Sequence, residues 1–263
     1  MSEPPLVRRY EEAGAIIVGG TSGVGLATAL GLADAGVGRM VLVGRNEERG
    51  GLARKTVLHS HPEADVLFLA ADASDEAEVD RVVSASQHAM GSVDICVNST
   101  TTAYKPELLH RTPSASISAI LSGQALPPML FTRAVLPLMQ AQGGGSIINI
   151  ASDAAKVPTP GESALGAAMA AIVMFSRVAA VEAKRNGVRV NAVTPSLIEG
   201  TRTADNVLSD GFSRSLFEKA ATQAHLGVAV PDDLAALIVF LAGPAAARLT
   251  GQTISVNGGI SAF

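Results

Sequence analysis

The chain has 263 residues, 48% of them apolar but only 3% aromatic and none Trp, so Ala, Val, Leu and Ile must fill its core. Such a core suits a sheet covered by close-packed helices better than a β-sandwich. Twenty basic and twenty-four acidic residues are interspersed to a formal charge of -4, which offers no basic patch to nucleic acid or an anionic membrane.

The start, MSEPPLVRRYEE, lacks the apolar core of a signal peptide, and no apolar run approaches the roughly 18 residues of a membrane span. A cytoplasmic protein is expected. Seven short apolar runs follow: AIIVGG at 15–20, MVLVGR at 40–45, VLFLAAD at 66–72, DICVN at 94–98, SIINIAS at 146–152, VRVNAVTP at 188–195 and TISVNGG at 253–259. They predict strands buried on both faces. Between them lie helical patterns such as LATALGLADAG, stopped by Gly36, and AEVDRVVSASQHAMG, stopped by Gly91. Strand and helix alternate throughout, which predicts one α/β domain over 1–263 built on a doubly wound parallel sheet. No repeat or linker divides it. The polar stretch 199–225 is the exception and reads as a substrate lid.

The lone cysteine, Cys96, excludes an intrachain disulfide and any multi-cysteine metal site. It falls in an apolar strand and reads as core. His59 and His61 precede a proline in what reads as a solvated loop, and no metal site is expected.

The first strand runs into Gly19-Gly20-Thr21-Ser22-Gly23-Val24-Gly25 and then directly into a helix. Strand, glycine turn and helix in that order place a pyrophosphate on the helix N-terminus, because glycines let backbone N–H groups approach it. An NAD site would carry an acidic residue at the end of the second strand. Here stand Gly44-Arg45-Asn46. A guanidinium suits a 2′-phosphate, so NADP(H) is favoured over NAD(H), with Ser22 adding a hydrogen bond. The other reading of Arg45 is a solvated loop arginine.

With these residues in place the chain resembles the short-chain dehydrogenase/reductase family over almost its whole length. Gly19-x-x-x-Gly23-x-Gly25 is similar to its TGxxxGxG turn, with Val18 in place of Thr. Asp72 resembles its adenine-contacting acid, Asn191-Ala192-Val193-Thr194-Pro195 the strand after its active-site helix, and LTGQTISVNGG at 249–259 its C-terminal strand. The resemblance implies a single Rossmann-type domain of about seven strands. It extends the cofactor-binding set to Gly19, Thr21, Ser22, Gly23, Val24, Gly25, Arg45, Asn46, Asp72, Ala73, Asn98, Pro195 and Thr201.

The catalytic positions depart from the family pattern. The NNAG tetrad falls on Asn98-Ser99-Thr100-Thr101, the catalytic Asn on Gln124 and the catalytic Ser on Ser152. Thirteen positions later the family's Tyr falls on Leu165, and its Lys on Met169: SALGAAMAA stands where a relative would read SAYGASKAA. In the family, Tyr protonates the substrate oxygen, with its pKa lowered by the Lys ammonium that also grips the nicotinamide ribose. Leu and Met can do neither. A positioned general acid contributes about 10²–10⁴ in rate. Tyr104 is the first candidate substitute acid, and Lys105, Asp153, Lys156 and Glu162 also lie near.

Three readings stand. The chain is an NADP(H)-binding divergent oxidoreductase acting on a carbonyl or hydroxyl substrate with Ser152 as oxygen ligand and a non-standard proton source. Alternatively it is a redox-inactive cofactor-binding scaffold or partner subunit, or its site is repurposed for cyclisation, isomerisation or dehydration. The apolar helix at 163–175 and the helix around 117–139 imply a homodimer or homotetramer, or a heteromer with a paralogue.

Overall fold

The computed structural model describes residues 6–208 and 211–262. Its seven parallel strands are β1 (Gly14–Val18), β2 (Arg39–Gly44), β3 (Asp65–Ala70), β4 (Ile95–Asn98), β5 (Gly145–Ile150), β6 (Val188–Pro195) and β7 (Thr253–Val256), in the order β3-β2-β1-β4-β5-β6-β7. Strand order reverses between β1 and β4, which opens a crevice at the carboxyl ends of these two strands.

Successive strand residues point to opposite faces and so seed two cores. Ala15 and Ile17 of β1 with Met40 and Leu42 of β2 meet α1 (Gly23–Asp34), α2 (Glu47–Ser60) and α8 (Pro231–Ala242) through Leu32, Val57 and Ile238. Ile16 and Val18 with Val41 and Val43 meet α3 (Glu76–Met90), α4 (Ser114–Ala141) and α5 (Ser163–Ala183) through Val82, Phe131 and Ala179. The seven expected strands are all present. Their ends are shorter than the apolar runs, since Gly19, Asp72, Ser152 and Asn257 leave the sheet to build the loops above it. Burial on both faces holds for the central strands, whereas the edge strands β3 and β7 are only partly covered. Gly91 adopts the left-handed C-cap expected of it, φ 76°, and Gly36 lies just beyond α1 with φ 110°.

Two stretches take a definite form in the fold. Ser163–Asn186 is long and apolar enough to cross a membrane by length and composition, although Arg177 interrupts its uncharged run. In the fold this segment is a sheet-covering helix: it packs on α4 and β6, burying Leu165, Met169, Ile172, Ala179 and Ala183. The polar stretch 199–225 carries α6 (Arg202–Leu208) and α7 (Gly211–Ala221); its residues 209–210, like residues 1–5 of the N-terminal reading, lie outside the described residues.

A buried cation ties the end of α8 to the sheet. Arg189 of β6 donates to the carbonyls of Leu241 (2.5 Å), Ala242 (3.0 Å) and Ala246 (3.1 Å), taking up C-terminal acceptors that the helix cannot pair internally. Burial lowers its pKa to about 10.

Candidate active site

A cavity of about 600 Å³ lies over the carboxyl ends of the strands, lined by Val18, Gly44, Ile150 and Pro195 at their tips. One end is built by the turn after β1. Gly19 takes φ 79°, and its N–H donates to the Val43 carbonyl of β2 at 2.9 Å. Gly25 must be glycine for a packing reason: a Cβ there would stand 2.2 Å from the Gly19 carbonyl oxygen. Helix and turn therefore pack backbone to backbone. Gly23 and Val24, the first residues of α1, line the cavity, and among the described residues Ser22 makes no side-chain cap. The positive end of α1 thus opens on the cavity, as an anion requires.

The adjoining wall carries Arg45, Asp72 and Ala73, together with Thr21 and Ser22. Asp72 is oriented from both sides: its carboxylate accepts the Ser74 N–H at 2.9 Å, and its own N–H donates to Glu78 at 2.6 Å. Arg49, unnoticed in the sequence, joins Arg45 on this wall. The spacing that brings it there is one helical turn, fixed by Asn46, which caps α2 by accepting the Arg49 N–H at 2.8 Å. Asn46 is therefore not among the cavity residues as expected; its side chain starts the helix. Asn98 is likewise turned inward, 2% exposed, and donates to Asn149 at 2.8 Å across the strands. Gly25 acts only through the packing of the turn. Pro195 and Thr201 line the cavity as expected.

At the other end stand Ser152, Gln124, Tyr104, Leu165 and Met169, which the fold gathers from four segments. The Ser152 hydroxyl oxygen accepts the Ala154 N–H at 3.2 Å, leaving its proton for another partner. Gln124, 2% exposed, braces the loop after β4: its amide donates to the Thr102 carbonyl at 3.1 Å and to the Thr101 hydroxyl at 3.4 Å. Leu165 and Met169 project from the first turns of α5 into an apolar cluster with Ala125, Ala151, Ile172 and Val173.

Tyr104 packs against that cluster and donates its hydroxyl to Glu162, the residue before α5, at 2.9 Å. Burial, then the Glu162 charge, then this hydrogen bond push the Tyr104 pKa up. Burial also raises the Glu162 carboxyl above the ordinary carboxylate range, more than the hydroxyls of Tyr104 and Thr159 lower it. The other candidate acids are engaged elsewhere. Asp153, 4% exposed, accepts from Ser255 at 2.8 Å and from Asn257 at 2.5 Å, and pairs with Lys156 at 3.2 Å. Burial pushes its carboxyl up, but hydrogen bonds from Asn257, Ser255 and Thr194 and the Lys156 charge outweigh it and hold the pKa low. Asp153 and Lys156 thus anchor the segment after β7 and are absent from the cavity wall. Among the described residues no group of three or more His, Cys, Asp and Glu could hold a metal.

A family model described as enoyl-(acyl carrier protein) reductase matches residues 18–261. The chain is 32% identical to 2-(R)-hydroxypropyl-CoM dehydrogenase of Xanthobacter autotrophicus, covering 95% of this chain and 98% of that protein. It is 31% identical to a 3-oxoacyl-[acyl-carrier-protein] reductase of Synechocystis, over 95% and 97% of the two chains. A short chain dehydrogenase/reductase of Aspergillus oryzae is 33% identical over 94% of each. Among solved structures, levodione reductase superposes with a TM-score of 0.91 at 29% identity, over 97% of this chain and all of its own. YwfH, an NADPH-dependent reductase involved in bacilysin biosynthesis, superposes at 0.87 with 25% identity, over 95% and 99%. With the reversal of strand order, the glycine turn and the cavity between them, these likenesses place the chain in the short-chain dehydrogenase/reductase family.

Proposed function

We propose that the chain is an NADP(H)-dependent oxidoreductase that interconverts a carbonyl and a hydroxyl, with Ser152 as ligand of the reacting oxygen. The observation that carries the reading is one continuous cavity joining the open end of α1 to Ser152. When bound, the nicotinamide supplies or accepts a hydride. Backbone N–H groups of the glycine turn and of α1 bind the pyrophosphate. Arg45 and Arg49 take the 2′-phosphate, and Asp72 and Ala73 face the adenine. The Ser152 hydroxyl, whose oxygen accepts the Ala154 N–H, keeps its proton for a substrate oxygen. Leu165 and Met169 keep water from the reacting carbon but carry no proton and grip no ribose hydroxyl.

The stretch 199–225 closes the cavity as a lid, contributing Arg202, Thr203, Asn206, Val207 and Phe217 to its wall. The hydroxy and oxo substrates named for the relatives support a ketone or secondary alcohol here. The reading carries with it a cytoplasmic protein, assembled as a homodimer or homotetramer through α4 and α5: Met174, Val178 and Val181 form an exposed stripe on α5, with Leu121 and Leu126 exposed on α4.

Titration calorimetry with NADPH and NADH, followed by NADPH absorbance with cyclic diketones, β-ketoacyl thioesters and 2-ketoalkyl thioethers, tests it. Tighter NADPH binding with turnover of one class is expected. Binding without turnover of any carbonyl, or of the matching alcohols with NADP⁺, overturns it. That result favours the second reading, a redox-inactive scaffold or partner subunit, which two inert side chains at the reacting end support. Co-purification with a second family chain would then be expected.

A further inference from the structure

We propose that Tyr104 and Glu162 form a proton relay that serves the substrate oxygen, Tyr104 as the catalytic acid and Glu162 as the reservoir behind it. The proposal rests on the oxidoreductase reading above. Three observations place the pair. Tyr104 lines the cavity together with Ser152, Leu165 and Met169. Its ring packs on the apolar cluster that holds Leu165 and Met169. Its hydroxyl donates to Glu162, 58 positions away, a carboxyl 7% exposed just before α5.

The hydrogen bond between them has two proton arrangements. With Glu162 ionised, the Tyr104 hydroxyl donates to the carboxylate and offers the cavity only lone pairs. With Glu162 protonated, the carboxyl donates to the Tyr104 oxygen, and the phenolic proton is released toward the cavity. Burial raises the Glu162 pKa and so favours the second arrangement. It also raises that of Tyr104, which makes a free tyrosinate costly; the phenol can give up a proton only as another arrives from Glu162.

In reduction the carbonyl carbon takes a hydride supplied by NADPH, and its oxygen takes the Tyr104 proton. The Tyr104 oxygen takes the Glu162 proton in the same event. The products are the alcohol, NADP⁺ and a Glu162 carboxylate, which water in the emptied cavity reprotonates through Tyr104. Oxidation runs the same path backward, with ionised Glu162 as the final base.

Among charged side chains on the surrounding segments, Arg202 of α6 lines the same cavity. Lys105 is exposed beside Tyr104, and Glu107 accepts the Leu108 N–H at 2.9 Å. Asp153 and Lys156 pair with each other, and Arg214, Glu218 and Lys219 of α7 are exposed.

The chain has two tyrosines and no tryptophan, so ¹³Cζ-tyrosine labelling gives one reporter on Tyr104 and one on Tyr10, whose hydroxyl donates to the Val239 carbonyl. The Tyr104 resonance, assigned by its loss in Tyr104→Phe, should move as pH crosses the Glu162 titration and stay still in Glu162→Gln. A resonance that moves equally in Glu162→Gln overturns the pairing. With a carbonyl that wild type reduces, Tyr104→Phe should lower kcat about 10²-fold with NADPH affinity unchanged. Glu162→Gln should lower kcat and abolish the fall in reduction rate as pH rises through that titration. Undiminished turnover by Tyr104→Phe, equal in thermal stability to wild type, overturns the relay and leaves the oxidoreductase reading standing. If wild type binds NADPH but reduces nothing, that reading falls and the relay with it.

Discussion

The two ends of the cavity follow opposite rules. At the cofactor end the backbone dominates: Gly19 and Gly25 let turn and helix touch, and the open start of α1 faces the cavity. Arg45 and Arg49 add charge at an exposed rim. At the reacting end the backbone supplies almost nothing, and the chemistry depends on which side chains α5 and the loop after β4 present. A fold can therefore keep its cofactor end intact while its proton chemistry is rewritten by a few substitutions.

The strongest way to break this contrast is to give the first turns of α5 a phenol and an ammonium. If only the side chains differ from a proton-donating end, Leu165→Tyr with Met169→Lys introduced into Tyr104→Phe should restore about 10²-fold in carbonyl reduction, the contribution of a positioned general acid. NADPH affinity should rise as well, because an ammonium would reach the ribose. Steady-state kinetics and calorimetry read both. A triple variant that folds, binds NADPH and gains nothing would mean that the backbone of α5 is itself misplaced. The cofactor end should behave in the opposite manner. Gly25→Val puts a side chain where 2.2 Å separates a Cβ from the Gly19 carbonyl, and should weaken NADPH binding by about 10²-fold, since turn and helix must move apart.

Charge at the rim should matter less. Arg45→Ser should cost NADPH about 2 kcal/mol, roughly 30-fold in Kd, the range of a hydrogen bond to a charged group. NADH binding should be unchanged. A similar loss for both cofactors would show that Arg45 shapes the turn rather than reading a phosphate. If Arg45→Ser retains NADPH selectivity, Arg49 carries it.

The two ends were not equally legible in sequence. The cofactor turn is local: strand, glycines and helix start lie within a dozen residues, so their order alone carries the geometry. Ser152, after β5, and Leu165 and Met169, on the first turns of the regular helix α5, line the cavity. What could not be read depends on distant partners. Tyr104 and Glu162 meet across 58 positions, and Asp153 meets Asn257 across 104. Nothing local in the run Ser152-Asp153-Ala154-Ala155-Lys156 says that its charges turn toward β7 rather than into the cavity. Asn46 shows the same limit on a smaller scale. Its helix-capping role depends on the first turn of α2, which the Gly44-Arg45-Asn46 run does not contain.

Asp153 offers the smallest effect and the cleanest control on the relay. Its pKa is depressed in the folded chain, so it contributes stability that is fully present above the ordinary Asp value, near 4, and lost as pH falls through its folded value. Asp153→Asn removes the charge that Lys156 and the hydroxyl and amide donors of the C-terminal segment converge on. It should lower stability at neutral pH by about 2 kcal/mol, or roughly 4–8 °C in Tm. The gap from wild type should narrow in acid, where Asp153 protonates in both folded and unfolded chains. Glu162 has the opposite sign. Its raised pKa means that its contribution is most favourable below its unfolded value and declines as pH rises through its folded one. Thermal melts across pH should therefore show Asp153→Asn erasing part of the acid limb, while Glu162→Gln relieves a loss at higher pH. If Asp153→Asn instead altered the pH profile of turnover at unchanged stability, the proton would be travelling by the β7 side, and the division between anchoring charges and reacting ones would have to be redrawn.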